Sequence, residues 1–489
     1  MKIKYTTIPI LILFSILFFS CNDSKSLKKE KNQTIEEVDE YVEKIISRHG
    51  IPGATVAIIK NDTVIHQKNY GLANIEHNVA ITDSSIFRVY SITKIFIAVG
   101  IFQLVEQNKI SLDGKISTYL SDLPEEWKNI EIKHLITHSS GLPDYKSLEN
   151  YNDLTTEEME ELLFAKSLQY ELGEQYEYNQ TNYWFLHKII KKITGLTLTE
   201  FVISNQFNDK TQDVFFSSDS RDIISNRVTS YFPFTKGKLT IEHFYGGEYN
   251  YATNGMNLTL SEFIKWSEKL NNNVLLSKKT TNIMWEEFPY NNKTDSFTHG
   301  WDKFKSNNEI SYGFTGNLTN VYRTFPKQNL SIIFLANGLT TFFDVDNVAN
   351  HLAYLADNNL KNLETYLYET LIQASDDGFE SFLSTYRNLK KQNSEKDFQS
   401  FLNSIGYFHL EKENYTMAIQ IFELNSNEYP KSWNTFDSLG EAYEKYGDID
   451  KAILFYKRAI ELNYNNESDN NTRLENKISD IEKTNANTI

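Results

Sequence analysis

FRVYSITKIFIAVGIFQLVEQNKISLDGKISTYL, residues 87–120, decides how this chain is read. A strand-like run, Ile86 to Tyr90, leads to a hydroxyl at Ser91 and an amine at Lys94. Both stand at the head of a long apolar helix through Ile95, Phe96, Val99, Phe102 and Leu104, where a spacing of three puts them on one face. A serine hydroxyl is too weak an acid to attack a carbonyl at neutral pH without a base, and a partly buried lysine of lowered pKa serves. The helix N-terminus adds positive potential where an oxyanion would form. The pair alone is weak evidence, since Ser26 and Lys29 repeat it in a polar stretch. The setting of strand, serine and buried helix separates the two.

Upstream, Ile35, Val38, Val42, Ile45 and Ile46 fall at helical spacing behind Thr34, a capping residue. Two β-rich runs follow, Ala54 to Ile59 and Thr63 to Tyr70, with turn chemistry between them at Lys60-Asn61-Asp62. Downstream, helical patterns dominate to about residue 285: Ser91 to Gln107, Thr155 to Ala165, Thr181 to Thr194 and Ser261 to Leu270. Strand character returns at Glu309 to Phe314, Asn320 to Phe325 and Leu330 to Ala336. The expected fold is α+β, an α/β sandwich. Its antiparallel sheet is built from the N- and C-terminal parts of one domain, residues 34–357, with a helical subdomain between them.

Residues 358–489 read as all-α, with a self-similarity of 34 residues: Ile405-Gly406 recurs as Leu439-Gly440, and Ala418 as Ala452. The second copy, SLGEAYEKYGDIDKAILFYKRAIELN (438–463), puts small residues where two antiparallel helices approach closely. The region, about 402–464, resembles tetratricopeptide repeats, and the resemblance implies a surface for a protein partner.

At 489 residues the chain exceeds one growing core, and 40% hydrophobic with 14% aromatic residues is ample to close several. A net charge of −16 with no basic stripe sets nucleic acid aside as a partner. Lys2 and Lys4, an apolar run from Ile8 to Phe19 and small Ser20 make residues 1–20 an export signal. Cys21, the only cysteine, then resembles the lipidated first residue of a bacterial lipoprotein, and 21–33 a polar linker. The protein is expected to be exported and held by lipid on a bacterial membrane, on its periplasmic or outer face. With one cysteine, no intrachain disulfide is available.

The quoted stretch, including Leu112-Asp113, resembles the first motif region of the β-lactamase-related and penicillin-binding serine hydrolases. IKHLITHSSGLPDY (132–145) and LGEQYEYNQTNYWFLHKIIKKITG (172–195) are similar to two further segments of that family, and SYGFTGNLTNVYRTFP (311–326) to its third motif region. The resemblance implies Ser91 as nucleophile, with Lys94 and Tyr178 moving its proton, the Tyr as a phenolate stabilised by an ammonium. It implies backbone N–H groups of Ser91 and Asn317 as the oxyanion hole, and Gln180, Phe314, Thr315 and Gly316 at the substrate. Gln180 stands where the family most often has Asn, and Phe314 where it has Lys or His. Loss of that cation disfavours β-lactams and favours an ester, an amide or a D-amino-acid peptide; Arg323 is a substitute cation if it faces the cleft, and otherwise a surface arginine. His134 and His138, four apart, lack the Glu and third ligand of a metal site, so neither metal nor cofactor is expected. The competing reading is a catalytically degenerate scaffold or binding module carrying a helical repeat.

Overall fold

The computed structural model describes residues 35–486 apart from 209, 236–237, 307–308, 342 and 464–467. The export signal, Cys21 and the linker lie outside the described residues. Among the described residues no helix is long and apolar enough to cross a membrane. The chain divides into two compact units: residues up to Phe232 with Ile241–Lys361, and Pro233–Thr240 with Asn362–Ile489.

In the first unit the strands are β1 (Gly53–Lys60), β2 (Thr63–Asn74), β3 (Val79–Ala80), β4 (Ile86–Arg88), β5 (Val214–Phe216), β6 (Tyr231–Thr235), β7 (Lys238–Ile241), β8 (Met256–Thr259), β9 (Asp302–Ser306), β10 (Glu309–Gly316), β11 (Asn320–Phe325) and β12 (Leu330–Ala336). Part of the β6–β7 hairpin belongs to the second unit. The main sheet is antiparallel with order β3-β2-β1-β12-β11-β10-β9, so the two ends of the domain meet at β1 and β12. Asn61 and Asp62 close the β1–β2 hairpin with φ of 49° and 59°. Positive φ at both positions is the turn geometry that matches the twist of paired strands.

Helix α1 (35–49) precedes the sheet and α2 (Thr93–Glu106) follows Ser91, and after them come α3 (Ile132–Ile136), α4 (Thr156–Phe164), α5 (Gln180–Thr194), α6 (Leu198–Gln206), α7 (Tyr251–Asn254), α8 (Leu260–Asn271), α9 (Lys278–Met284) and α10 (Val345–Ala356). Alternation along the strands serves two cores. Val56, Ile58, Ile332 and Phe334 pack on α1 and α10, while Ala57, Ile59, Ile333 and Leu335 join the larger core around α2, α5 and α8. Helix α2 is buried from Thr93 to Leu104, which suits a helix apolar on nearly every side. Each fully buried Ile, Leu or Phe there contributes about 1.5–3 kcal/mol relative to exposure. This core fixes the segment that carries Ser91.

The second unit holds α11 (Leu363–Asp376), α12 (Phe379–Gln392), α13 (Gln399–Glu411), α14 (Tyr415–Glu428), α15 (Trp433–Tyr446), α16 (Ile449–Asn463) and α17 (Ser468–Ala486). The 34-residue repeat has a packing cause. A Cβ on Gly406 would stand 2.5 Å from the Phe422 ring, and one on Gly440 2.7 Å from the Tyr456 ring. Both rings follow their glycine by the same interval, so each repeat seats one aromatic of its second helix on a bare glycine of its first. Helices α11 and α12 share a core with α13 and α14, which covers the first repeat's outer face.

Candidate active site

Ser91 lies in the short 3-10 turn Tyr90–Ile92, immediately before α2. The residue before it, Tyr90, has φ 50°, a region bulky side chains occupy only when their surroundings enforce it, at a cost of about 1–3 kcal/mol. Two hydrogen bonds enforce it: Tyr90 Oη donates to Glu242 Oε2 at 2.5 Å and accepts from Ser230 Oγ at 2.9 Å. The far strands hold the same turn. Asn320 Nδ2 donates to Arg88 O at 3.0 Å, and Gly316 lies so close that a Cβ there would come within 2.3 Å of Val89 O.

Tyr178 Oη donates to Ser91 Oγ at 2.8 Å. Lys94 is fully buried, and its Nζ donates to Gln180 Oε1 at 2.9 Å and Thr253 O at 2.7 Å, 4.8 Å from the centre of the Tyr178 ring. Four residues singled out in the sequence, from two separate segments, thus converge. Burial pushes the Lys94 amine well below its ordinary value, the nearby Lys146 charge adds to this, and Asp144 opposes it. Tyr178 is 37% exposed to the cleft, yet its desolvated phenol is pushed up, against the pull of its contacts with Ser91 and Gln180. Burial thus disfavours the ammonium of Lys94 and the phenolate of Tyr178 alike. Desolvation works against the phenolate beside an ammonium that the sequence resemblance implied.

The segment 138–146 positions the second motif. Gln180 N donates to Asp144 Oδ2 at 3.0 Å, and Asn179 N donates to His138 Nδ1 at 3.1 Å. His138 is wholly buried, its ring centre 4.8 Å from that of Tyr178, and burial beside Lys94 holds it neutral. Its partner in the sequence pattern, His134, instead accepts from Glu131 N at 3.2 Å as a helix cap. The two imidazoles have separate tasks.

On β10, Phe314 is buried with its ring centre 6.3 Å from that of Tyr178, so an apolar ring occupies the position of the family's cation. Thr315 is half-buried, and Asn317 and Leu318 follow with φ of 49° and 60° in the loop to β11. Arg323 faces neither cleft nor solvent: it is fully buried, ion-paired with Asp346 of α10 and stacked on Phe304. Both readings of Arg323 from the sequence are corrected, since its partner comes from a remote helix. Sequence reasoning also missed Thr253, Asp144 and Glu242. Thr253 offers Lys94 only its carbonyl, which no side-chain pattern signals, and Glu242 sits in a loop without a motif.

Comparison with known proteins bears on the family and the fold. The β-lactamase family profile matches residues 36–355, and a tetratricopeptide repeat profile matches 435–466. Protein flp of Staphylococcus aureus is 25% identical over 186 residues, covering 36% of this chain and 36% of that protein, so the chain spans about a third of the length of this relative. Teichoic acid D-alanine hydrolase of the same organism is 24% identical over 299 residues, covering 61% of this chain and 73% of that one. The structure of D-amino acid amidase from Ochrobactrum anthropi SV3 superposes with TM-score 0.55 at 20% identity, over 67% of this chain and 99% of that chain, and shares the fold. On the extent of the profile match, this chain belongs to the β-lactamase and penicillin-binding-protein family of serine hydrolases and carries a tetratricopeptide repeat behind that domain.

Proposed function

We propose that this protein hydrolyses an ester or amide, including D-amino-acid derivatives, through an acyl-enzyme on Ser91. The observation that carries the reading is the 2.8 Å hydrogen bond between Tyr178 Oη and Ser91 Oγ in front of a buried, neutral-leaning Lys94. As Ser91 Oγ bonds to the carbonyl carbon, its proton leaves through Tyr178, and the Lys94 amine is the group able to hold it. The backbone N–H groups of Ser91 and Asn317 meet the oxyanion. Collapse breaks the bond to the alcohol or amine, which departs with the proton. Water then attacks the acyl carbon by the same route, releasing the acid and restoring Ser91.

Phe314 leaves no cation for the carboxylate of a β-lactam, so esters and amides are favoured over penicillins. The relatives named for D-alanine and D-amino acid substrates support small amino-acid esters and amides as the first class to assay. We further propose an exported lipoprotein tethered through Cys21, on the order of charged, apolar and small residues in 1–20, and a protein partner for the repeat region. Hydrolysis of an ester and amide panel by wild type and Ser91→Ala tests the catalytic reading. Ser91→Ala is expected to lower kcat/KM by about 10³-fold or more, and undiminished turnover would refute it.

A further inference from the structure

Tyr178 lies outside helix and strand: residues 175–179 form no regular element, so no ladder of main-chain bonds holds the phenol in front of Ser91. Its two neighbours in the chain are instead held by one residue. Glu177 N donates to His138 O at 2.9 Å, and Asn179 N donates to His138 Nδ1 at 3.1 Å. The main chain is thus tied to His138 immediately before and immediately after Tyr178, and the imidazole lies against the Tyr178 ring, 4.8 Å from centre to centre.

His138 stands just beyond α3 with φ 55°, a left-handed conformation that helix ends ordinarily give to Gly or Asn. Backbone outliers of this kind gather at working sites. The ring is wholly buried, and its Nδ1 also lies 3.3 Å from Asn182 Nδ2, whose amide is oriented by Ser140 Oγ donating to Asn182 Oδ1. Because Nδ1 accepts, the proton of the neutral imidazole sits on Nε2, which has no hydrogen-bond partner among the described residues. Around it the ring packs on Tyr183 and Phe297, 5.1 and 5.6 Å away from centre to centre. An imidazolium would forfeit the acceptor at Nδ1, and burial, with the Lys94 charge nearby, opposes it.

We propose that His138 is a positioning residue for Tyr178: as a neutral imidazole protonated at Nε2, it fixes the chain on both sides of the tyrosine and so sets the reach of the phenol to Ser91 Oγ. This rests on the acyl-enzyme reading above. His138 touches neither substrate nor Ser91 and acts through Tyr178 alone. Its weight comes from the steepness of proton transfer with distance, since a displacement of about 1 Å costs about 10²-fold in rate.

The test compares full chains of wild type, His138→Asn and His138→Phe in hydrolysis of p-nitrophenyl acetate and in the rate of Ser91 labelling by a fluorophosphonate. Asn tolerates the left-handed φ and offers Oδ1 to Asn179 N, whereas Phe keeps a ring and loses the acceptor. His138→Phe is expected to lose about 10²-fold in kcat and in labelling rate with KM little changed, and His138→Asn to keep more than about a tenth of both rates. A His138→Phe chain as fast as wild type would overturn the proposal. So would a His138→Asn chain slower than His138→Phe, because packing of the ring would then be the task. Circular dichroism checks that each variant folds. Should His138→Phe fail to fold, 15N spectra of histidine-labelled wild type still decide: the His138 ring should stay neutral and protonated at Nε2 from about pH 5 to about pH 8, and a proton on Nδ1 would refute the assignment. No turnover and no Ser91 adduct in wild type would remove the hydrolase reading and this inference with it, whereas an active wild type with an unimpaired His138→Phe removes this inference alone.

Discussion

In the proposed mechanism Lys94 and Tyr178 divide the proton work according to how burial treats each. Burial lowers the lysine and raises the tyrosine, and the proposed mechanism needs Lys94 as the free amine. kcat/KM is expected to rise with pH through the lowered Lys94 value, with a midpoint well below that of free lysine, measured on a substrate without a titrating group. Lys94→Met and Tyr178→Phe should each lower kcat by about 10²–10⁴-fold while the fold, followed by circular dichroism, persists. Asp302 gives a separate pH signature. Burial and the neighbouring Asp346 push its carboxyl up to about 7, with Arg323 opposing. A carboxyl whose folded value lies above its unfolded 3.8 stabilises most below that pH, and the contribution is lost as pH rises towards about 7. Asp302→Asn should flatten this slope, read as the difference in urea midpoint between pH 5 and pH 8. Ser91, Lys94, Tyr178 and Gln180 were legible because each sits in a segment with its own pattern. Arg323 was not, because burial against Asp346 is decided by α10, more than twenty residues further along.

Elements explain why the site holds its shape. The turn that carries Ser91 is gripped by β10 and β11 through Gly316 and Asn320, and by Glu242 through Tyr90. Gly316→Ala would place a Cβ 2.3 Å from Val89 O, so β10 must move away from Ser91. A fall of about ten-fold or more in kcat/KM is expected, with about 1–3 kcal/mol lost in stability, measured by rates and chemical denaturation together. In the repeat region Gly440→Val, which would drive a side chain into the Tyr456 ring, should destabilise the second unit by a similar amount while leaving Ser91 labelling intact. Strands β11 and β12 are both buried along their whole length, and the apolar run LSIIFLA made β12 readable to the residue. Strand β9, DKFKS, was not readable: it is charged because it forms the sheet's edge, where charge blocks pairing with other chains. The three-stranded sheet β4-β8-β5 escaped notice because strands of three or four residues are too short to show alternation.

The whole molecule joins two units, each with apolar cores of its own. A chain ended at Lys361 is expected to keep a phosphonate-reactive Ser91, and loss of reactivity there would show that the repeat region supports the catalytic one. The division near residue 360 was visible in the sequence as a switch from mixed patterns to unbroken helix, while the inclusion of Pro233–Thr240 with the second unit was not, since that hairpin has no repeat character. The account's central claim is that Ser91 forms an acyl-enzyme. The most direct measurement is intact-protein mass spectrometry of the signal-less chain after incubation with a fluorophosphonate and, separately, with a penicillin, for wild type and Ser91→Ala. The account predicts one phosphonate adduct in wild type, none in Ser91→Ala, and no lasting penicillin adduct. A folded wild type that takes up neither reagent, or a phosphonate adduct that survives in Ser91→Ala, would contradict it.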